Sequence, residues 1–256
     1  MRRFYSLCTL FVFAVGLSFG QFAFAGEYTT HDIENKILAY TIVYPDGCKI
    51  PDNSKVVYLT FDDGPTKYTP EILEILSKYD IPATFFVVGN TEYTHYISDI
   101  AERSHAIGLH SYNHNFEEIY SSKEAYFDDL KKIDDIVFAH TGIHSMIIRF
   151  PGGSSVKRGT NKWFMQQLGQ DVKEKGYQYF DWNCDSGDAK GSKTASCALS
   201  KIKSTEKEVG DIVIVLMHDT KQITVEYLPD VIAYFKELGY TFLPLCPVSP
   251  AVHHSW

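Results

Sequence analysis

The stretch VVYLTFDDGP, residues 56–65, runs from apolar side chains into a glycine–proline pair across two adjacent aspartates. Its first half reads as a buried strand, because a short apolar run bounded by turn residues is what such a strand leaves in a sequence. Its second half has an ordinary reading, since Asp-Gly and Gly-Pro are common turn pairs and an acid caps a helix well. Two like charges at the end of a buried strand nevertheless call for a partner elsewhere in the chain.

Further runs of the same kind follow: ATFFVVG, AIGLH, MIIRF, YQYFDW, DIVIVLMH and TFLPL. With the first they predict seven strands. Between them lie segments with apolar residues three and four apart and charges opposite, from TPEILEILSKYD to VEYLPDVIAYFKELG, which predict helices. Strands alternating with helices imply parallel pairing through right-handed crossovers, in either an open doubly wound sheet or a closed barrel. No linker, repeat or low-complexity tract divides residues 27–256, so one domain is expected after a weakly patterned lead-in over residues 26–54.

The chain has 256 residues, 45% of them hydrophobic, and a net charge of −8. With no basic cluster, that balance argues against a nucleic-acid or anionic-membrane partner. The first 25 residues combine a basic start, MRR, an apolar LFVFAVGLSF and a small-x-small Ala23-Phe24-Ala25, the parts of a cleavable signal peptide. An uncleaved anchor is the alternative, and both place the rest of the protein outside the membrane. Beyond residue 25 there are four cysteines, Cys48, Cys184, Cys197 and Cys246, which allow two disulfides in three pairings or four thiols. Cys184 with Cys197 is the expected pair, because the loop between them is short and polar.

In parallel α/β folds reactive groups gather at the carboxyl ends of the strands. Five polar clusters fall there: Asp62 and Asp63, His110 to His114 (HSYNH), Arg149 to Gly153 (RFPGG), Trp182 to Asp188 (WNCDSGD) and Leu216 to Asp219 (LMHD). His110 and His114 have a spacing found in zinc sites, but so do His140 and His144, away from that rim, which read as surface histidines. Two histidines with one carboxylate leave coordination positions open, as a catalytic metal requires. If successive strand side chains face opposite ways, one aspartate faces the ion and the other a water. His218 suits a general acid, Asp188 can orient it, and Arg149 can pair with an aspartate. As a set these residues suggest metal-assisted hydrolysis of an acyl group.

From about residue 55 to the C-terminus the chain resembles the polysaccharide deacetylase family, carbohydrate esterases sharing the NodB homology domain, on the motifs TFDDGP, HSYNH, RFPGG, the Asp188 segment and LMHD. The resemblance implies a deformed (β/α) barrel of about seven parallel strands. It implies Asp63, His110 and His114 as ligands of a divalent metal, usually zinc, and Asp62 as general base. His218 would be the general acid, with Arg149 holding Asp62 and Asp188 tuning His218. The Gly152 N–H would stabilise the oxyanion and Leu216 would line an acetyl-methyl pocket. The fourth motif departs from the usual Asp-Trp ending, because Ala189 follows Asp188, so one wall of that pocket must come from elsewhere. The expected protein is a secreted or wall-associated N-deacetylase of a cell-wall glycan, most simply the N-acetylglucosamine of peptidoglycan. N-acetylmuramic acid, chitin oligomers, poly-N-acetylglucosamine and acetylxylan are alternative substrates, and a glycan-binding protein without turnover is the alternative class. N-terminal sequencing of exported protein is expected to begin near Gly26; recovery only in the membrane fraction with Met1 or Arg2 intact would select the anchor.

Overall fold

The computed structural model describes residues 30–43, 49–51 and 54–255; the segment read as a signal peptide, residues 1–25, and Cys48 lie outside them. In chain order the elements are α1 (Thr30–Val43), β1 (Val56–Asp62), α2 (Thr69–Tyr79), β2 (Thr84–Val88), α3 (Tyr96–Glu102), β3 (Ala106–Ser111), α4 (Phe116–Ile119), α5 (Lys123–Thr141), β4 (Ile147–Ile148), α6 (Lys162–Glu174), β5 (Gln178–Tyr179), β6 (Cys184–Asp185), α7 (Ala195–Val209), β7 (Ile212–His218), α8 (Gln222–Glu237) and β8 (Thr241–Phe242). Each of the seven apolar runs supplies a strand. The difference lies in the fifth region, where YQYFDW forms only β5 and a further short strand, β6, follows at Cys184–Asp185.

All pairing is parallel, in the order β5-β4-β3-β2-β1-β7-β6, with β8 beside the start of β1. The sheet curls into a deformed (β/α) barrel, and among the described residues its terminal strands β5 and β6 do not pair with each other. The chain between them closes the gap by other means. The Phe180 N–H donates to the Ile148 carbonyl at 3.0 Å, and the Asn183 side chain takes the Ile214 N–H and donates to the Ile212 carbonyl, each at 2.8 Å.

Every residue of β1 is buried, so the pleat sorts its side chains between two cores rather than between core and water. Val57, Leu59 and Phe61 join the core under the helices, whereas Val56 and Tyr58 join the barrel interior with Phe86, Phe180 and Ile214. Thr60 and Asp62 continue the inward parity. Helices α5, α6 and α7 start where Ser122, Asn161 and Thr194 accept backbone N–H groups of the first turn, and α5 stops at Gly142 in the left-handed conformation. The lead-in holds one helix that periodicity does not announce, α1, whose Ile33 packs against Gly176.

The expected Cys184–Cys197 disulfide does not form. Cys184 is a buried thiol whose Sγ donates to the Ile202 carbonyl at 3.7 Å, while Cys197 is an exposed thiol on α7 and Cys246 is disulfide-bonded. Loop length is a weak guide to pairing, because a bridge also needs the two Cβ atoms to face one another. Burial pushes the Cys184 thiol up to about 12, which removes the reactive thiolate. Peptide mapping after alkylation of the folded protein is therefore expected to find Cys197 modified and Cys184 protected until denaturant is added.

Candidate active site

Parallel register brings the reactive residues level. Val56–Asp62 pairs with Ile212–His218 position for position, so Asp62 lies beside His218 and Thr60 beside Leu216. Asp62, the last residue of β1, points into the barrel top, where Arg149 Nη1 donates to its Oδ1 at 2.8 Å and to Thr60 Oγ1 at 2.7 Å. Arg149 is 0% exposed, and its other nitrogens are also used: Nε donates to the Phe180 carbonyl at 3.0 Å and Nη2 to the Asp181 carbonyl at 3.2 Å.

Asp63 does not continue the strand. Its φ of 72° turns the chain into the left-handed region, so a turn separates the two carboxylates, not the strand alternation expected from sequence. Gly64 follows because nothing larger fits, as a Cβ there would lie 1.9 Å from Oδ2 of Asp219. Asp219 is buried, its Oδ2 accepts from the Thr69 hydroxyl at 2.6 Å, and burial raises its carboxyl to about 7.

His110 is the penultimate residue of β3 and His114 lies in the loop beyond it, with a φ of 54°. That loop is held by one buried acid that its sequence does not single out. Asp129 of α5 accepts from the Ser111 hydroxyl at 2.7 Å and from the N–H groups of Tyr112 and Asn113 at 2.8 and 3.2 Å. Ser111 Oγ in turn accepts from the His114 N–H at 2.9 Å.

Asp63, His110 and His114 offer ligand atoms that all lie within 4.8 Å of one another. Oδ1 of Asp63 is buried without a hydrogen-bond donor, 3.2 Å from Nε2 of each histidine. His110 Nδ1 sits 2.8 Å from the Arg149 carbonyl, which can only accept, so the proton is on Nδ1 and the lone pair of neutral His110 faces Asp63. Electron pairs converging on one buried point fit a cation. Burial raises the Asp63 carboxyl, but with no ion bound positive charge on the His110, His114 and His218 imidazoles outweighs it and holds the carboxyl well below the usual range, so positive charge is favoured at this point either way. Among the described residues the other HxxxH pair gathers no such set: His144 Nδ1 is 2.7 Å from Asp134 and His140 pairs with Ser98.

His218 is the mirror case. Burial alone would lower its pKa, but Asp188, with Oδ1 2.7 Å from Nδ1, raises it to about 9. Asp188 is itself fixed, because its Oδ2 accepts from the His218 N–H, the Thr224 hydroxyl and the Tyr227 hydroxyl at 2.8 to 2.9 Å. Nε2 of His218 points toward Asp63, 3.9 Å from Oδ2. Asp62, Asp63, His110, His114 and His218, with Gly152 and Leu216, line one cleft of about 870 Å³, with Arg149 and Asp188 behind its wall. Trp182 also lines it and supplies an apolar wall that Ala189 cannot.

A family model described as polysaccharide deacetylase matches residues 49–180. A peptidoglycan-N-acetylglucosamine deacetylase of Bacillus cereus is 33% identical over 196 residues, which span 73% of this chain and 68% of that protein. The solved catalytic domain of a peptidoglycan N-acetylglucosamine deacetylase from Eubacterium rectale matches with a TM-score of 0.77 and 40% identity, covering 80% of this chain and 95% of that one. A CE4 esterase structure from Streptococcus mutans matches with a TM-score of 0.67 and 27% identity, over 86% of this chain and 92% of that one. A curled parallel sheet with a cleft at the carboxyl ends of its strands is the architecture this chain shares with these solved deacetylase and esterase structures. The chain belongs to the polysaccharide deacetylase family, whose members hydrolyse amide bonds of acetylated glycans.

Metal titration tests the ligand set. His114→Ala and Asp63→Asn are expected to abolish tight binding of one divalent ion, and Asp129→Ala to weaken it about 10- to 100-fold by freeing the loop. His140→Ala should bind as the parent does; retention of stoichiometric metal by His114→Ala would refute the site.

Proposed function

We propose that this protein is an exported, metal-dependent deacetylase that removes N-acetyl groups from the N-acetylglucosamine of peptidoglycan. The observation that carries the chemistry is the pairing of the cleft's two proton-transfer groups with opposite partners. Asp62 is held by a cation, Arg149, and His218 by an anion, Asp188, on either side of the Asp63 carboxylate. The choice of glycan is supported by the printed names of the Bacillus and Eubacterium relatives. Export is supported by the signal-like residues 1–25, and among the described residues no helix is long and apolar enough to cross a membrane.

Two imidazoles and one carboxylate suit zinc or a similar first-row ion, with positions left for substrate and water. Such an ion supplies Lewis acidity toward the water and the acyl oxygen. The chain's own residues do the rest. Arg149 occupies Oδ1 of Asp62, so Oδ2 accepts the proton of the attacking water as its oxygen bonds to the acetyl carbon. The Gly152 N–H donates to the developing oxyanion, a contribution worth about 3 kcal/mol where such donors have been removed. His218 Nε2–H then donates to the nitrogen as the C–N bond breaks, and Asp188 stabilises the imidazolium beforehand. Acetate and a free amine leave, while Leu216 and Trp182 enclose the methyl group.

Acetate release from defined N-acetylglucosamine and N-acetylmuramic acid glycans tests both the reaction and the sugar. Asp62→Asn is expected to lower kcat by at least about 100-fold with the metal retained. Undiminished release would remove Asp62 as the base. The pH profile tests the acid: His218 is protonated below about 9, so activity should fall as pH rises through that value. Asp188→Asn removes the partner that raises His218 and should move this limb down toward the ordinary histidine value of 6.5. An unmoved limb would exclude the pair.

A further inference from the structure

Asp181 is fully buried at the open seam between β5 and β6, and the mechanism above gives it no task. Its carboxylate takes three donors. Oδ1 accepts from the Ser154 N–H at 2.7 Å, while Oδ2 accepts from the Ser154 hydroxyl and from the His254 N–H, the latter at 2.7 Å. Its main chain is held as firmly, since the Asp181 N–H donates to the Val252 carbonyl at 2.9 Å and its own carbonyl takes Arg149 Nη2. One acid therefore joins three separate pieces of chain: the RFPGG turn, the residue before Trp182, and the segment 252–254.

The last of these pieces reaches the cleft wall. His254 Nε2 donates to the Trp182 carbonyl at 2.9 Å, and its ring meets the indole edge to face with centroids 4.5 Å apart. A Cβ on Gly153, whose φ is 82°, would lie 3.0 Å from His254 Nδ1 and 3.1 Å from the Trp182 ring. The turn, the indole and the imidazole are thus in close contact. Gly152 and Trp182 both line the cleft, where the proposed mechanism uses them as oxyanion donor and methyl-facing wall.

We propose that Asp181, with His254, is a positioning device: it sets the Gly152–Ser154 turn and the Trp182 wall against the reacting acyl group, and so supplies the rigidity that the motif lacks at Ala189. Neither residue touches the reacting atoms. The catalytic consequence rests on the deacetylase reading, whereas the latch itself does not. Asp181→Asn keeps the shape but turns one acceptor into a donor facing donors, and Ser154→Ala removes a single bond with little risk to folding.

Both variants, together with Ser154→Thr and the parent, are compared in acetate release and in amide hydrogen exchange of residues 150–156. Expected are a fall in kcat of about 10- to 100-fold, the size that small misplacements cause, with KM and metal content little changed. Exchange should quicken over 150–156 while β1 stays protected, and Ser154→Thr should restore both properties. Unchanged kcat with unchanged exchange in folded Ser154→Ala would overturn the latch, even if Asp181→Asn failed to fold. Faster exchange with unchanged kcat would overturn its catalytic role. A parent that released no acetate would count against the deacetylase reading, and the exchange measurement would then decide the latch alone.

Discussion

A charged guanidinium lies inside this barrel with no access to water, and much of the site's order follows from satisfying it. Arg149 donates to two side chains of β1 and to two carbonyls between β5 and β6. Its plane lies 4.2 Å from the Phe86 ring centroid, so even its face has a partner. Removing one partner of such a buried pair typically costs about 3–5 kcal/mol, because the charge left behind is uncompensated. The same bonds that stabilise the ion tie β4 to β1 and to the far seam, which leaves Asp62 one free oxygen and one direction in which to present it. Stability and catalytic geometry rest on the same four contacts.

The two proton-transfer groups are distinguished by their neighbours and aligned by strand register. Asp62 and His218 end adjacent parallel strands at the same level, and the inward parity of both strands delivers them to one cleft. Asp188 drives the His218 imidazole toward its charged, proton-donating form, whereas Arg149 fixes Asp62 in place through one carboxylate oxygen. On the proposed mechanism, Asp62 as proton acceptor and His218 as proton donor would flank the scissile bond, with Asp63, His110 and His114 holding the ion between them.

Among the described residues four non-glycine positions adopt positive φ, and two of them belong to the candidate ligand set. Asp63 and His114 both adopt positive φ, a conformation that costs non-glycine residues of the order of 1 kcal/mol or more and persists only where the surroundings impose it. Around His114 it is imposed by Asp129, which takes three donors from the loop. Behind Asp63 the Asp219 carboxylate fills the space beside Gly64. The candidate ligands Asp63 and His114 are thus held in place by buried acids from other elements, α5 and the chain just after β7.

The sequence by itself determined seven of the strands, the alternation with helices and the clustering of unusual polar residues at strand ends, whereas the short β6 came only from the structure. Those properties follow from local periodicity and from the rule that parallel strands present their carboxyl ends together. It also determined the identity of the candidate ligands, because TFDDGP, HSYNH and LMHD carry them within a few residues. Only the tertiary structure decided what required distant atoms to meet. Asp129, Asp181 and Asp219 look like ordinary helix, strand or turn acids in one dimension, and their burial among donors from other segments becomes visible only after folding. The same holds for Trp182 as the wall that Ala189 does not provide, and for the cysteines. Loop length favoured Cys184 with Cys197, but a disulfide depends on the direction of two Cβ atoms, which packing sets and spacing along the chain does not.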